Sequence, residues 1–207
     1  MTQYYIPNSK CKNYKIIKIK KSDIQVSKID TLSKHMSLKI VKKINFNKFD
    51  DNKQKYITLL SKDENFFYNK YLKNPFYDYI IYEFKINKKM QGYYFTREAS
   101  YKNNKCLRIV DFFGNIKYLF NSSVLFKKII EDNEYEFVDM YFFGNNNIKI
   151  NKNKFKENNF DKNMIIPNFF EPFIKKNIKV NFAILTKKTT KFFLFKGDCD
   201  QERPNIF

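Results

Sequence analysis

Two aspartates are placed to move a proton. Asp111 lies in residues 106–115, Cys-Leu-Arg-Ile-Val-Asp-Phe-Phe-Gly-Asn, and Asp139 in residues 136–145, Glu-Phe-Val-Asp-Met-Tyr-Phe-Phe-Gly-Asn. Each follows a valine inside an apolar run. Strand alternation sets Asp111 on one face with Leu107 and Ile109, and Asp139 on one face with Phe137 and Tyr141. A carboxylate that is desolvated there, or repelled by a second one, holds its proton more tightly and suits a general base for an amine or hydroxyl. The structural alternative is that each caps a backbone amide or pairs with a lysine.

A second group of candidates closes the chain. Asp198, Asp200, Glu202 and Arg203 follow Lys196-Gly197, and here acidic residues outnumber basic ones although the whole chain carries Lys+Arg 40 against Asp+Glu 21. Such a reversal could bind a cationic or hydroxyl-rich substrate, or a divalent ion through oxygen ligands, although it lacks the length and later glutamate of a calcium loop. A solvated tail is the alternative. Pro167 and Pro172 bracket an aromatic loop, Asn168-Phe169-Phe170-Glu171, which could stack on a sugar or cover the sheet. Arg97 with Glu98, and Arg108, stand on expected strands where cross-strand pairing is the default.

Composition removes other chemistries. His35 is the only histidine, and Cys11, Cys106 and Cys199 are odd in number and far apart. This disfavours structural zinc, a disulfide framework and histidine-based triads, and it fits reduced thiols in a soluble, cytoplasmic protein. The first residues lack a signal-peptide pattern, and no apolar run approaches a membrane span. The net charge of +19 would attract polyanions, yet the lysines are spread through the whole chain among Asn, Ile, Phe and Tyr. With no arginine cluster and no glycine-flanked aromatic signature, a dedicated nucleic-acid role is disfavoured.

The elements that must hold these residues follow from periodicity. Tyr14–Lys20 reads as a first strand, followed by a helix over about 22–33. A helix is expected over Glu64–Leu72, stopped by Asn74-Pro75. Residues 77–86, 92–99 and 106–113 read as an antiparallel meander with turns at 87–89 and 103–104. A helix within 115–132 and a strand through Asp139 then make a parallel crossover. Residues 152–159 read as a short helix, and 179–186 with 191–195 as a hairpin. The expected organisation is one α/β (α+β) domain with residues 1–13 as an N-terminal extension and 196–207 as an acidic C-terminal segment.

This order resembles that of GNAT-type acyltransferases over nearly the whole chain. Four stretches, Tyr68 to Pro75, Leu107 to Gly114, Phe137 to Tyr141 and Lys196 to Asn205, look like marks of a GNAT-like group encoded in bacterial surface-polysaccharide gene clusters. The resemblance implies a mixed, mostly antiparallel sheet with a central parallel strand pair that splays apart. It implies acetyl-CoA, or another acyl-CoA, wedged in the splay, with the pantetheine along Val110, Phe112 and Phe113 and the pyrophosphate at the amides of Gly114 and Asn115. It implies acyl transfer to an amine or hydroxyl of a sugar or related small metabolite, and for that chemistry the residues themselves offer Asp111 or Asp139 as base and a backbone amide near Phe112 as oxyanion donor. Tyr141, Glu171, Asp198, Asp200 and Arg203 would bind the substrate. The chain departs from the family at two places. Gly114 is the only glycine in the pyrophosphate loop, and Phe155 stands where many members carry a tyrosine acid.

Overall fold

The computed structural model describes residues 1–20, 24, 34–46, 62–144, 155–183, 185 and 192–198. In chain order the strands are β1 (Thr2–Pro7), β2 (Met36–Ile40), β3 (Tyr79–Ile86), β4 (Lys89–Tyr101), β5 (Asn104–Gly114), β6 (Phe137–Gly144), β7 (Lys156–Glu157), β8 (Phe169–Phe170), β9 (Phe173–Ile174) and β10 (Phe193–Phe195). Helix α1 (Glu64–Phe67) widens into a π turn over Tyr68–Leu72, and a 3-10 stretch, Ile116–Ser122, leads into α2 (Ser123–Asp132).

The meander forms where the apolar density and polar turns require it. Ile86 pairs with Lys89 across Asn87 and Lys88, whose φ angles of 50° and 63° give the hairpin the twist that two-residue turns need. The main sheet runs β2-β3-β4-β5-β6-β1-β7. Its β5–β6 neighbours are parallel, joined by the 3-10 stretch and α2 as crossover. The result is a mixed α+β domain with a mostly antiparallel sheet, a central parallel pair and flanking helices, a GNAT-like α/β fold. No helix among the described residues is long and apolar enough to cross a membrane.

Each sheet face has its own cover. On one, α2 lays Phe126 and Ile130 over Tyr82, Tyr94, Val138 and Met140. On the other, Phe67 and Tyr71 of the α1 segment stack on Phe95 at 4.7 and 4.6 Å between ring centroids. Burying aromatic and branched side chains of this size stabilises by about 1.5–3 kcal/mol each.

Several expectations are corrected. Residues 1–13 are no simple extension, because β1 lies inside the sheet, paired to β6 from Thr2↔Phe142 to Pro7↔Phe137. Tyr14–Lys20 is no strand. Its amides are captured instead by the buried Glu136 carboxylate, which accepts from Lys15, Ile16 and Ile17 at 2.7, 2.9 and 3.3 Å, leaving one bridge, Lys18↔Ile165. In the described part of 152–159, Lys156–Glu157 is strand, because it finds the free edge of β1. In the expected closing hairpin, the described residues 179–183 form no strand, and β10 pairs with β6 instead of with them; residues 184 and 186–191 lie outside the described residues. The expected helix over 22–33 lies, apart from Ile24, outside the described residues.

β5 and β6 separate early. They pair only at Leu107↔Val138, Arg108↔Asp139 and Ile109↔Met140. Beyond that, β10 pairs with β6 at Phe142, Phe143 and Gly144. Phe142 is also paired to Thr2 of β1, so β10 must lie on the side of β6 that β5 has left. The splay therefore holds a strand of the chain itself.

Candidate functional site at the carboxyl ends of the parallel strands

A bulge decides where Asp111 points. Phe95 of β4 faces Asp111, and the next residue, Thr96, faces Ile109, so Val110 is an extra residue in β5. Alternation is reset by one. Leu107, Ile109 and Phe112 remain in the α2-side core, whereas Val110 joins Phe67, Tyr71 and Phe95 opposite, and Asp111 is bonded to Tyr71 there. The expected shared face for Asp111, Leu107 and Ile109 is thus corrected.

Asp111 is fully buried and fully bonded. Lys62 Nζ is 2.7 Å from both carboxylate oxygens, the Tyr71 hydroxyl donates to Oδ2 at 2.8 Å, and the Phe112 amide donates to Oδ1 at 2.8 Å. Lys62 also lies 2.7 Å from Asp198 Oδ1, so one ammonium serves two carboxylates. Burial works against the Lys62 charge, but Asp111 and Asp198 outweigh it and hold its pKa above the usual lysine value. Burial and the nearby Asp111 charge push the Asp198 carboxyl up, with Lys62 opposing them. Burial and Asp111 likewise push the Tyr71 phenol far up.

The turn Lys196–Asp198 is fastened around this cluster. Asp198 Oδ2 accepts from the Phe195 amide at 2.8 Å, and Lys70 Nζ donates to the Gly197 carbonyl. Gly197 is required by space. A Cβ there would stand 2.3 Å from the Tyr71 hydroxyl and 2.8 Å from the Val110 carbonyl oxygen.

Asp139 lies in a second network. Arg108 grips it bidentately, Nε to Oδ1 and Nη2 to Oδ2, both at 2.9 Å, and also donates to the carbonyls of Asn168 (2.7 Å) and Pro167 (3.1 Å). Gln3 Nε2 donates to Asp139 Oδ2 at 2.8 Å, and Asn158 Nδ2 donates to Gln3 Oε1 at 2.7 Å. Lys196 Nζ donates to Asn168 Oδ1 at 3.0 Å. Burial opposes the Arg108 charge, and Asp139 overcomes it and raises its pKa. A polar chain thus crosses the sheet from Asn158 to Lys196, and the 196–198 turn carries it on to Lys62 and Asp111.

The remaining expected residues fall as follows. Tyr141 is buried beside this network, and its hydroxyl has no hydrogen-bond partner among the described residues. Burial and Asp139 raise its pKa. Val110 presents its carbonyl to Gly197, Phe112 packs on Tyr94 at 4.6 Å, and Phe113 meets Phe67 edge-on at 5.3 Å. Gly114 has φ 145° and is pressed against Gln91. The Asn115 amide donates to the Gln91 carbonyl at 2.8 Å, and the Lys117 and Tyr118 amides donate to Asn115 itself. Glu171 stands apart, accepting from the Tyr77 hydroxyl at 2.5 Å near Arg97. Asp200 and Arg203 lie outside the described residues.

The four resemblance-bearing stretches therefore converge. Lys70 and Tyr71 come from the first, Arg108 and Asp111 from the second, Asp139 and Tyr141 from the third, and Lys196 to Asp198 from the fourth. Lys62 and Gln3 escaped sequence reasoning, because a lysine before a helix and a glutamine near the first residue carry no pattern. Comparison with protein-family models, curated proteins and solved structures returned no match.

Proposed function

We propose that the chain works as a GNAT-like binding protein for a small polar metabolite rather than as an acyl-CoA transferase. The observation that supports this reading is the occupied splay: β10 pairs with β6 and the Lys196–Asp198 turn packs on Tyr71 and Val110, in the gap where the resemblance implies an acyl-CoA arm. Two further features agree with it. Asp111 and Asp139 are both neutralised by buried cations, and the Phe112 and Asn115 amides are already bonded within the chain. A base needs a free lone pair, and an oxyanion donor needs a free N–H.

A second reading, acyl transfer from acetyl-CoA to an amine or hydroxyl of a sugar, is favoured by the convergence of the four stretches at the strand ends where α/β sheets bind ligands. In that reading residues 193–198 must first leave, after which Asp111 would act as base. Thiol release from acetyl-CoA in the presence of amino sugars and simple polyols tests the choice. The binding reading expects release no faster than the buffer blank. Saturable release that requires both acetyl-CoA and an acceptor would overturn it.

A further inference from the structure

A cavity of about 360 Å³ opens at the opposite end of the polar chain, where β7 closes the sheet. Its size falls in the range of small-ligand sites, roughly 300–1,000 Å³. Tyr4 and Phe155 line it with aromatic surface, and both are anchored to Phe120, at 5.1 and 5.8 Å between centroids. Met164 lines it too and accepts from the Tyr5 hydroxyl at 2.9 Å. The walls are thus built from the core.

The rim carries both signs of charge. Lys20 and Lys156 supply ammonium groups, and Glu157 and Asp161 supply carboxylates. Lys156 and Glu157 are successive strand residues opposite Tyr5 and Tyr4, so their side chains leave β7 in opposite directions. Glu157 lies close enough to Tyr4 to help push its phenol pKa up to about 12, behind the larger effect of burial. The edge adds main-chain groups. The Asn158 amide donates to the Gln3 carbonyl at 2.9 Å, and antiparallel alternation then turns the amide and carbonyl of Glu157 away from β1, onto the free edge.

We propose that this cavity binds a small zwitterion, a molecule carrying one ammonium and one carboxylate or phosphate on a compact skeleton. Glu157 stands beside Tyr4 on one side of the open edge and Lys156 beside Tyr5 on the other. The cavity therefore rewards a ligand that reaches round the edge with one charge of each sign, and a ligand with only one leaves a like charge facing it. The site is held in shape through Asn158, whose side chain bonds to Gln3 and thereby to Asp139.

The test uses the full chain with ¹³C-methyl methionine, its Met164 signal assigned by Met164→Leu. The probes are glucosamine 6-phosphate, with both charges, and glucosamine and glucose 6-phosphate, with one each. A saturable shift of the Met164 methyl is expected for the first, with affinity about tenfold weaker for each of the others. Lys156→Gln with Glu157→Gln should abolish the shift while leaving the free-state Met164 signal in place. No movement of Met164 at millimolar probe, or equal affinity for all three probes, would overturn the proposal, as would an unchanged response in the double variant. This outcome is separate from the thiol-release result, because the cavity shares no residue with the occupied splay.

Discussion

Asp139→Asn isolates the claim that this carboxylate serves as the counter-ion of Arg108. The substitution keeps the shape and leaves a guanidinium that is 1% exposed facing an amide instead of its partner. Breaking one side of a buried, bidentate pair costs about 3–5 kcal/mol. For a chain of this size each kcal/mol moves Tm by about 2–4 °C, so the expected drop is roughly 6–20 °C. Arg108→Met with Asp139→Leu removes both charges, but also the donors to the Asn168 and Pro167 carbonyls and the acceptor of Gln3. Those orphaned groups limit recovery, because each costs about 1–3 kcal/mol. The double variant should regain part of the single variant's loss, giving a favourable coupling energy in urea unfolding. A loss below about 1 kcal/mol for Asp139→Asn would refute the counter-ion role. So would a double variant that loses as much as Arg108→Met and Asp139→Leu lose together when measured singly, or more.

Other outcomes follow from the same geometry. Gly197→Ala should destabilise by about 1–3 kcal/mol, since its Cβ would press on Tyr71 and Val110; a urea midpoint equal to the parent's would contradict the packing. Asp198 holds its proton more tightly in the folded chain than in the unfolded one, so its contribution is fully present below the ordinary carboxylate range and fades as pH rises through the raised folded value. Stability of Asp198→Asn should accordingly depend less on pH from the acid range toward neutrality, and parallel pH curves for parent and variant would exclude this. Cys106, buried and pushed up to about 12, should resist iodoacetamide at pH values where the partly exposed Cys11 reacts, as read by peptide mass spectrometry of the native chain. Early labelling of Cys106 would mean that the sheet opens around it.

Much of the sheet could be read from residues alone. The meander and β6 were legible because dense Tyr, Ile, Phe and Val runs alternate with short polar turns, a pattern set by local geometry. What failed was tertiary. Ile16 and Ile17 look like strand residues, but Glu136 takes their amides. Tyr4 and Tyr5 look like the end of an extension, yet β6 needed a neighbour on its far side. Strand alternation sets Asp111 on the face of Leu107 and Ile109, which is the wrong face, because the extra residue at Val110 leaves no mark in an apolar run. The structural alternative for the aspartates, pairing with a lysine or capping an amide, matches the contacts Asp111 makes with Lys62 and the Phe112 amide. Lys62 itself could not be found, since many other lysines share its local context.

The occupied splay is tested most directly by titration calorimetry of acetyl-CoA into the full chain, with Asp198→Ala run in parallel. The closed arrangement predicts no saturable heat for the parent chain at millimolar cofactor. A saturable one-to-one isotherm for the parent would contradict it, because the cofactor would then share the space between β5 and β6 with residues 193–198.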